Sequence, residues 1–159
     1  MTAPERIPLD GMLRAVGQLS TGAQVRLHDC LKIHELAVGD VLFFRGSEGG
    51  SVYIVDSGEV SLWWEAPNGD HELLRFAAAG DVVTPGALLD RSPRQRSCLV
   101  EQEARVIELS SAAFEVLTAR DPMTACSILE GLGRCAAGHP DSQDPAYQDT
   151  WLDSLPAPC

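Results

Sequence analysis

The sequence predicts a mainly β fold, a small antiparallel roll or barrel with helices at both ends, and three observations carry that prediction. Between Lys32 and Leu109 the chain runs through about eight short β-rich stretches at close spacing, which suits an antiparallel roll better than a parallel α/β sheet. Glycine and charged turns separate them, at Gly39-Asp40, Gly46 to Gly50, Ser57-Gly58, Pro67 to Asp70 and Gly80-Asp81. On either side the pattern changes to helical spacing with serine or threonine caps.

Taken in order, Leu9, Leu13, Val16 and Leu19 predict a first short helix, and Ser20 or Thr21 caps a second that carries Ala23, Val25, Leu27 and Leu31. The β-rich stretches are KIHEL, VLFFR, SVYIVD, EVSLWWE, HELLRF, DVV, SCLVEQ and RVIEL. Asn68-Gly69 is the strongest hairpin signal among the turns. Trp63-Trp64 on a strand puts one ring toward the core and the other outward. After Leu109, Ser110 or Ser111 caps AAFEVLTAR, Asp121-Pro122 breaks it, and a last helix over residues 123–137 follows. Gly131 and Gly133 each cost that helix about 1 kcal/mol relative to alanine, so it is expected to be short or frayed. Residues 138–159 carry four aspartates, four prolines and neither lysine nor arginine, the composition of a flexible acidic tail.

Composition excludes several functions. The net charge of −11 opposes a nucleic-acid backbone, which requires a basic face. No apolar run is long enough to cross a bilayer and the start MTAPERIPLDGML has no signal-type apolar region, so no membrane role and a cytoplasmic location are expected. Five scattered cysteines, none in C-x-x-C spacing, predict reduced thiols and no zinc site. His28, His34, His71 and His139 lie on different elements without the H-x-H cluster of a cupin-type metal barrel. A barrel enzyme is therefore the remote alternative, and no catalytic or metal residue is predicted.

One segment carries chemistry. In GDVVTPGALLDRSPRQRS, residues 80–97, Thr84 reads as an N-cap and Pro85 as the first residue of a short helix running into Gly86, Ala87, Leu88 and Leu89. A helix N-terminus suits an anion, and Arg91, Arg94 and Arg96 follow closely enough to close over one.

The order of these elements resembles the cyclic nucleotide-binding domain, the sensor module of the bacterial cyclic-AMP receptor protein and its relatives and of kinase regulatory subunits. The resemblance covers about residues 18–135. It rests on Gly39-Asp40, Gly46, Tyr53-Ile54-Val55 leading to Gly58-Glu59-Val60, Gly80-Asp81, Ala87-Leu88-Leu89, Pro93-Arg94 and Val106-Ile107-Glu108-Leu109. It implies a jelly-roll-like antiparallel β-roll (a double-stranded β-helix) within residues 1–137, with the roll over about 32–109, C-terminal helices over about 110–137, and the tail 138–159 outside it.

The family's phosphate-binding cassette has a Gly-Glu pair whose glutamate grips the sugar 2′-hydroxyl and a Pro-Arg whose arginine pairs with the cyclic phosphate. Pro93-Arg94 matches the latter, and Ser97 stands where a hydroxyl is common. The Gly-Glu pair is Thr84-Pro85 here, and proline has neither an acceptor side chain nor an N–H. Losing a hydrogen bond to a charged group weakens binding roughly 10- to 100-fold.

The site residues so implied are Arg94, Gly86, Ala87, Ser97, Thr84 and Arg96, with the N–H groups of Gly86 and Ala87 under a ligand phosphate and Arg94 above it. The opposing reading pairs Arg94 with Asp90 or Glu101 on the surface. Arg96 and Arg91, in a polar loop, read as solvent-facing, and Ser97 as equally an outward strand residue.

The expected function is a stand-alone, non-catalytic regulatory or adaptor protein. Its drifted pocket takes a non-standard nucleotide or other small anion (cAMP, cGMP or a cyclic dinucleotide among the candidates), or it acts through a protein partner. The alternative is a conventional cyclic-AMP or cyclic-GMP sensor with a rearranged cassette in which Glu59, Glu72 or Asp90 supplies the sugar contact. The 24 residues after Cys135 leave no room for a helix-turn-helix DNA-binding domain. The 123–137 segment reads as a movable lid, too short for a long dimerisation helix, and a homodimer through another surface stays open.

Overall fold

Two long strands form the spine of the molecule, and both arise where the sequence reads as separate short runs. The computed structural model describes residues 19–84, 87–89 and 91–137, the side chains of 134–137 excepted. Its elements are α1 (Thr21–His28), β1 (Lys32–Leu36), β2 (Val41–Phe43), β3 (Ser51–Glu65), β4 (His71–Ala78), β5 (Val82–Val83), β6 (Ser97–Ser110), α2 (Ser111–Arg120) and α3 (Pro122–Ala137). All strand pairs are antiparallel. β3 pairs with β6 at the centre, β1 and β2 both pair with β6, and β4 and β5 both pair with β3. The expected β-roll with flanking helices is thus present, with six strands among the described residues in place of eight.

The difference lies in what Ser57-Gly58 does. It is not a turn between two strands but an irregularity within β3, where the register against β6 shifts at Val55/Ser57, Ser57/Glu59 and Glu59/Val60. Gly58 has φ +85°, and a Cβ placed there would meet the Glu103 carbonyl oxygen at 2.2 Å. The shift also changes which side chains face inward. Before it, Val52 and Ile54 join Ile107 and Leu109 in a core under the helices, while Val55 joins Val106 inside the roll. After it, Val60 and Leu62 face the roll interior with Ala77, Cys98 and Val100. The chain therefore bends without ending its hydrogen-bonded ladder, and the runs SCLVEQ and RVIEL fuse into β6 for the same reason.

The hairpin at Asn68-Gly69 forms as its sequence predicts. Gly69 N–H donates to the Ala66 carbonyl at 2.8 Å with φ +89°, and Asn68 Oδ1 accepts from Asp70 N–H at 3.1 Å. Trp63 and Trp64 are both half-buried. The register of β3 against β4 slips between Leu62 and Trp63, with Leu74 as the extra residue on β4, while the pairing of β3 with β6 runs through that point without a shift. Trp63 Nε1 donates to the Ser61 hydroxyl at 2.8 Å, so Trp63 shares the outer face with Ser61.

Ser20 caps α1, accepting from Ala23 N–H at 3.2 Å, and the helix ends at His28, short of Leu31. Ser110 caps α2 in the same way, accepting from Ala113 N–H at 3.1 Å. The expected helix over residues 9–19 falls almost entirely outside the described residues, as does the tail. α3 is not short or frayed but runs unbroken over 16 residues. Ile128 and Leu132 bury themselves against Leu27, Leu117 and the outer side of the sheet, and that burial outweighs the two glycines. Asp121 opens α3, accepting from Thr124 N–H and Thr124 Oγ1 at 3.2 and 2.6 Å, and it also receives Arg26 Nε of α1 at 2.6 Å.

Gly58 and Gly69 share a left-handed φ but differ in surroundings, since nothing lies within 4 Å of a Cβ at Gly69. In urea unfolding, Gly69→Ala is expected to cost about 1 kcal/mol from backbone strain alone, and Gly58→Ala about 3 kcal/mol or more because β6 has to move. Equal costs for the two would contradict the packing described here.

Candidate functional site

Inside the roll a line of polar groups crosses three strands. Tyr53 of β3 lies opposite Glu108 of β6, and Ser51 lies opposite Ser110, so Ser51, Tyr53 and Glu108 all reach the interior side. Ser51 Oγ donates to Glu108 Oε2 at 2.6 Å, and His34 Nε2 of β1 meets Glu108 Oε1 at 2.7 Å. Burial opposes ionisation of Glu108, but the bonds from Ser51 and His34 together with the charge of Lys32 hold its carboxyl below its ordinary value.

Arg94 enters from the loop before β6. It is 6% exposed, so neither surface pairing weighed for it occurs with a described residue: Glu101 instead accepts from Ser61 Oγ at 2.6 Å, and Asp90 lies outside the described residues. Backbone bonds fix the loop's position, with Arg94 N–H donating to the Ser47 carbonyl at 2.9 Å and Gly46 N–H to the Arg94 carbonyl at 2.7 Å. The guanidinium lies 4.6 Å from the centre of the Phe43 ring and 5.4 Å from that of Tyr53, and these two rings stack at 5.8 Å. Its Nη2 donates to the Ser51 carbonyl at 2.8 Å and its Nη1 to Thr84 Oγ1 at 3.0 Å, while Nε has no hydrogen-bond partner among the described residues. Burial lowers the Arg94 pKa, offset in part by Tyr53 and Glu108; burial and the Glu108 charge push the Tyr53 phenol up. Arginine nevertheless stays charged.

Thr84 is not a helix cap. Its φ is +56°, whereas a capping residue has an extended backbone, and Ala87 to Leu89 form a turn rather than a helix. Its hydroxyl bridges Arg94 and the Ser51 carbonyl, to which it donates at 3.2 Å. Ala87 N–H, expected to face a ligand, donates to the Thr84 carbonyl at 3.1 Å. Gly86 and Pro85 lie outside the described residues. Arg96 is buried, 7% exposed, rather than solvent-facing, and its Nη1 donates to the Gln95 carbonyl at 3.3 Å. Ser97 Oγ accepts from Arg45 N–H at 2.9 Å, holding the end of β2 against β6. Arg91 is exposed as expected and pairs with Glu115. Of the six site residues, Arg94 and Thr84 meet directly and Ala87 joins them through the Thr84 backbone; Arg96 and Ser97 bond elsewhere.

Sequence reasoning missed the floor of this site: Ser51, Phe43, Glu108 and His34, together with Arg75, whose Nη2 donates to the Val82 carbonyl at 3.0 Å. Alternation along β3 and β6 was the available signal, but assigning it inward required knowing that the register shifts at Gly58.

A family profile described as the cyclic nucleotide-binding domain matches residues 33–121, more than half of the chain, and the chain belongs to that family. A cAMP-dependent protein kinase regulatory subunit from Hypocrea atroviridis is 30% identical over 92 residues, which are 58% of this chain and 19% of that protein. A CRP-like cAMP-activated global transcriptional regulator from Mycobacterium tuberculosis is 28% identical over 96 residues, 60% of this chain and 43% of that protein. The chain thus spans less than half the length of these two relatives. The crystal structure of a cyclic nucleotide-binding domain from Methylobacillus flagellatus superposes with a TM-score of 0.76 at 19% identity, covering 94% of this chain and 85% of that one, a likeness of fold. The family is one of regulatory proteins. Among the described residues no helix is long and apolar enough to cross a membrane, and no group of three or more His, Cys, Asp or Glu could hold a metal ion.

Two measurements follow from these environments. Because the folded-state pKa of Glu108 is depressed, its contribution to stability is complete above its unfolded pKa and is lost as pH falls through the folded value. Glu108→Gln is therefore expected to flatten the loss of stability on acidification between roughly pH 5 and 3, read by urea midpoints across pH; an unchanged slope would remove Glu108 from that role. Burial pushes the Cys98 thiol up to about 12, against the smaller opposing pull of Arg75 and Arg94, whereas Cys126 is exposed. Iodoacetamide at pH 8 is expected to label Cys126 in the folded protein and Cys98 only after unfolding, as peptide mass spectrometry would show.

Proposed function

We propose that the chain is a non-catalytic regulatory module whose roll takes a small phosphate-bearing ligand against Arg94, through a pocket that has lost the usual hold on a sugar. The observation that carries this reading is the inward guanidinium. Burying a cation costs on the order of several kcal/mol, and two neutral oxygens with an adjoining aromatic face offset only part of that. The Glu108 charge offsets part of the cost while its carboxylate stays bonded to Ser51 and His34, and an anion at the Nε edge adds the direct partner that the described residues do not give that atom. At the position where the family resemblance calls for a sugar-binding glutamate the chain has Pro85, which has no acceptor. Glu72 is exposed near the tip of the hairpin, on the ladder pair with Trp64, and so makes a poor substitute. Both features favour a non-standard nucleotide or other phosphate-bearing anion over ordinary cyclic-AMP sensing.

A protein partner is the second reading, favoured by an apolar patch on the outer face of the sheet. Phe76, 52% exposed, lies opposite Ser61, and Leu73, 39% exposed, lies opposite Trp63, so both share a face with the Trp63 ring.

Calorimetric titration with cyclic AMP, cyclic GMP and cyclic di-GMP separates the two. Heat at micromolar or tighter affinity, weakened about 10- to 100-fold or more in Arg94→Ala, is the expected outcome. Affinity that survives Arg94→Ala would refute the ligand role, and silence with all three nucleotides would turn the reading toward the partner surface.

A further inference from the structure

One residue holds two of the groups that the sequence assigns to a ligand phosphate. Thr84 Oγ1 accepts from Arg94 Nη1 at 3.0 Å, and the Thr84 carbonyl accepts from Ala87 N–H at 3.1 Å. The same hydroxyl donates to the Ser51 carbonyl, which also receives Arg94 Nη2, so Thr84, Ser51 and Arg94 close a ring of hydrogen bonds. Using both ends of one residue in this way places Thr84 at φ +56°, the only positive φ among the described non-glycine residues. A β-branched side chain adopts that conformation only where its surroundings enforce it. The strain therefore sits at the point where the interior cation is partly satisfied from within.

We infer that Thr84 is an internal stand-in for the ligand phosphate, an autoinhibitory contact that keeps Arg94 and the Ala87 amide occupied until a phosphate-bearing anion displaces it. The inference rests on the reading of Arg94 as the ligand contact. Anionic oxygens bond a guanidinium more strongly than a hydroxyl does, and displacement lets Thr84 leave its strained conformation. A ligand with several anionic oxygens on one centre replaces both the hydroxyl and the carbonyl, whereas a single-point anion replaces one and leaves the strain in place. The contact thus raises the threshold for weak anions and selects for phosphate. A residue that merely orients Arg94 would have the opposite effect on affinity, because its removal would leave the guanidinium disordered.

The test is calorimetric titration of the wild type, Thr84→Gly, Thr84→Ala, Thr84→Ser and Arg94→Ala with cyclic AMP and with inorganic phosphate, each variant first checked for folding by circular dichroism. Thr84→Gly tolerates the left-handed backbone and lacks the hydroxyl, so at least one probe is expected to bind it about tenfold more tightly than the wild type. Thr84→Ala shifts the same way and guards against a folding defect in the glycine variant. Thr84→Ser, which keeps the hydroxyl, stays within about threefold of the wild type by the same reasoning. Binding that depends on Arg94 but is equal or weaker in Thr84→Gly and Thr84→Ala overturns the stand-in while leaving the proposed function intact. No binding of either probe by the wild type or by either hydroxyl-free variant overturns the stand-in together with the ligand role of Arg94.

Discussion

A guanidinium taken out of water has to find acceptors for its N–H groups, and that requirement organises the interior of this roll. Arg94 meets it with a backbone carbonyl at the start of β3, the Thr84 hydroxyl and two stacked aromatic rings. Each partner comes from a different part of the chain: Phe43 from β2, Ser51 and Tyr53 from β3, Thr84 from the segment after β5. The cation therefore ties the loop before β6 to most of the elements around it. Glu108 lies on the same side of the sheet, its charge held by Ser51 and His34 rather than by the arginine. An oxygen acceptor arriving in this interior would find the positive group incompletely satisfied and the negative group already engaged.

The fold was legible because its turns have strong local signatures. Asn68-Gly69 forms its hairpin, and Ser20 and Ser110 cap their helices through the side chains that the sequence nominates. What misled was Gly58. A glycine after a serine between two apolar runs looks the same whether it ends a strand or bends one, and only close contact with Glu103 and Ala104 on β6 distinguishes the cases. That contact is long-range and leaves no local trace. The length of α3 was hidden for a related reason, since helix propensity counts its glycines but not the burial of Ile128 and Leu132.

The candidate site was legible in part. Pro93-Arg94 marked the arginine, and the structure brings it inside. Thr84 was visible as a polar residue before proline, but a cap and a left-handed bridge share the same letters, and a backbone torsion separates them. Arg96 looks like a surface residue because an arginine in a polar loop usually faces solvent, yet it is buried. Ser51, Phe43 and Glu108 gain their position only from strand register, which a single sequence encodes weakly.

At Asp121 a single carboxylate receives Arg26 from α1 and begins α3 through Thr124, immediately after α2 ends. Three helices are thereby pinned at a common corner. The Arg26 contact is solvent-exposed and contributes little energy, so it acts as a guide more than a clamp. Because one carboxylate serves both neighbours, α3 takes its direction from α1 as well as from the end of α2, and Ile128 and Leu132 are thereby aimed at Leu27 and Leu117.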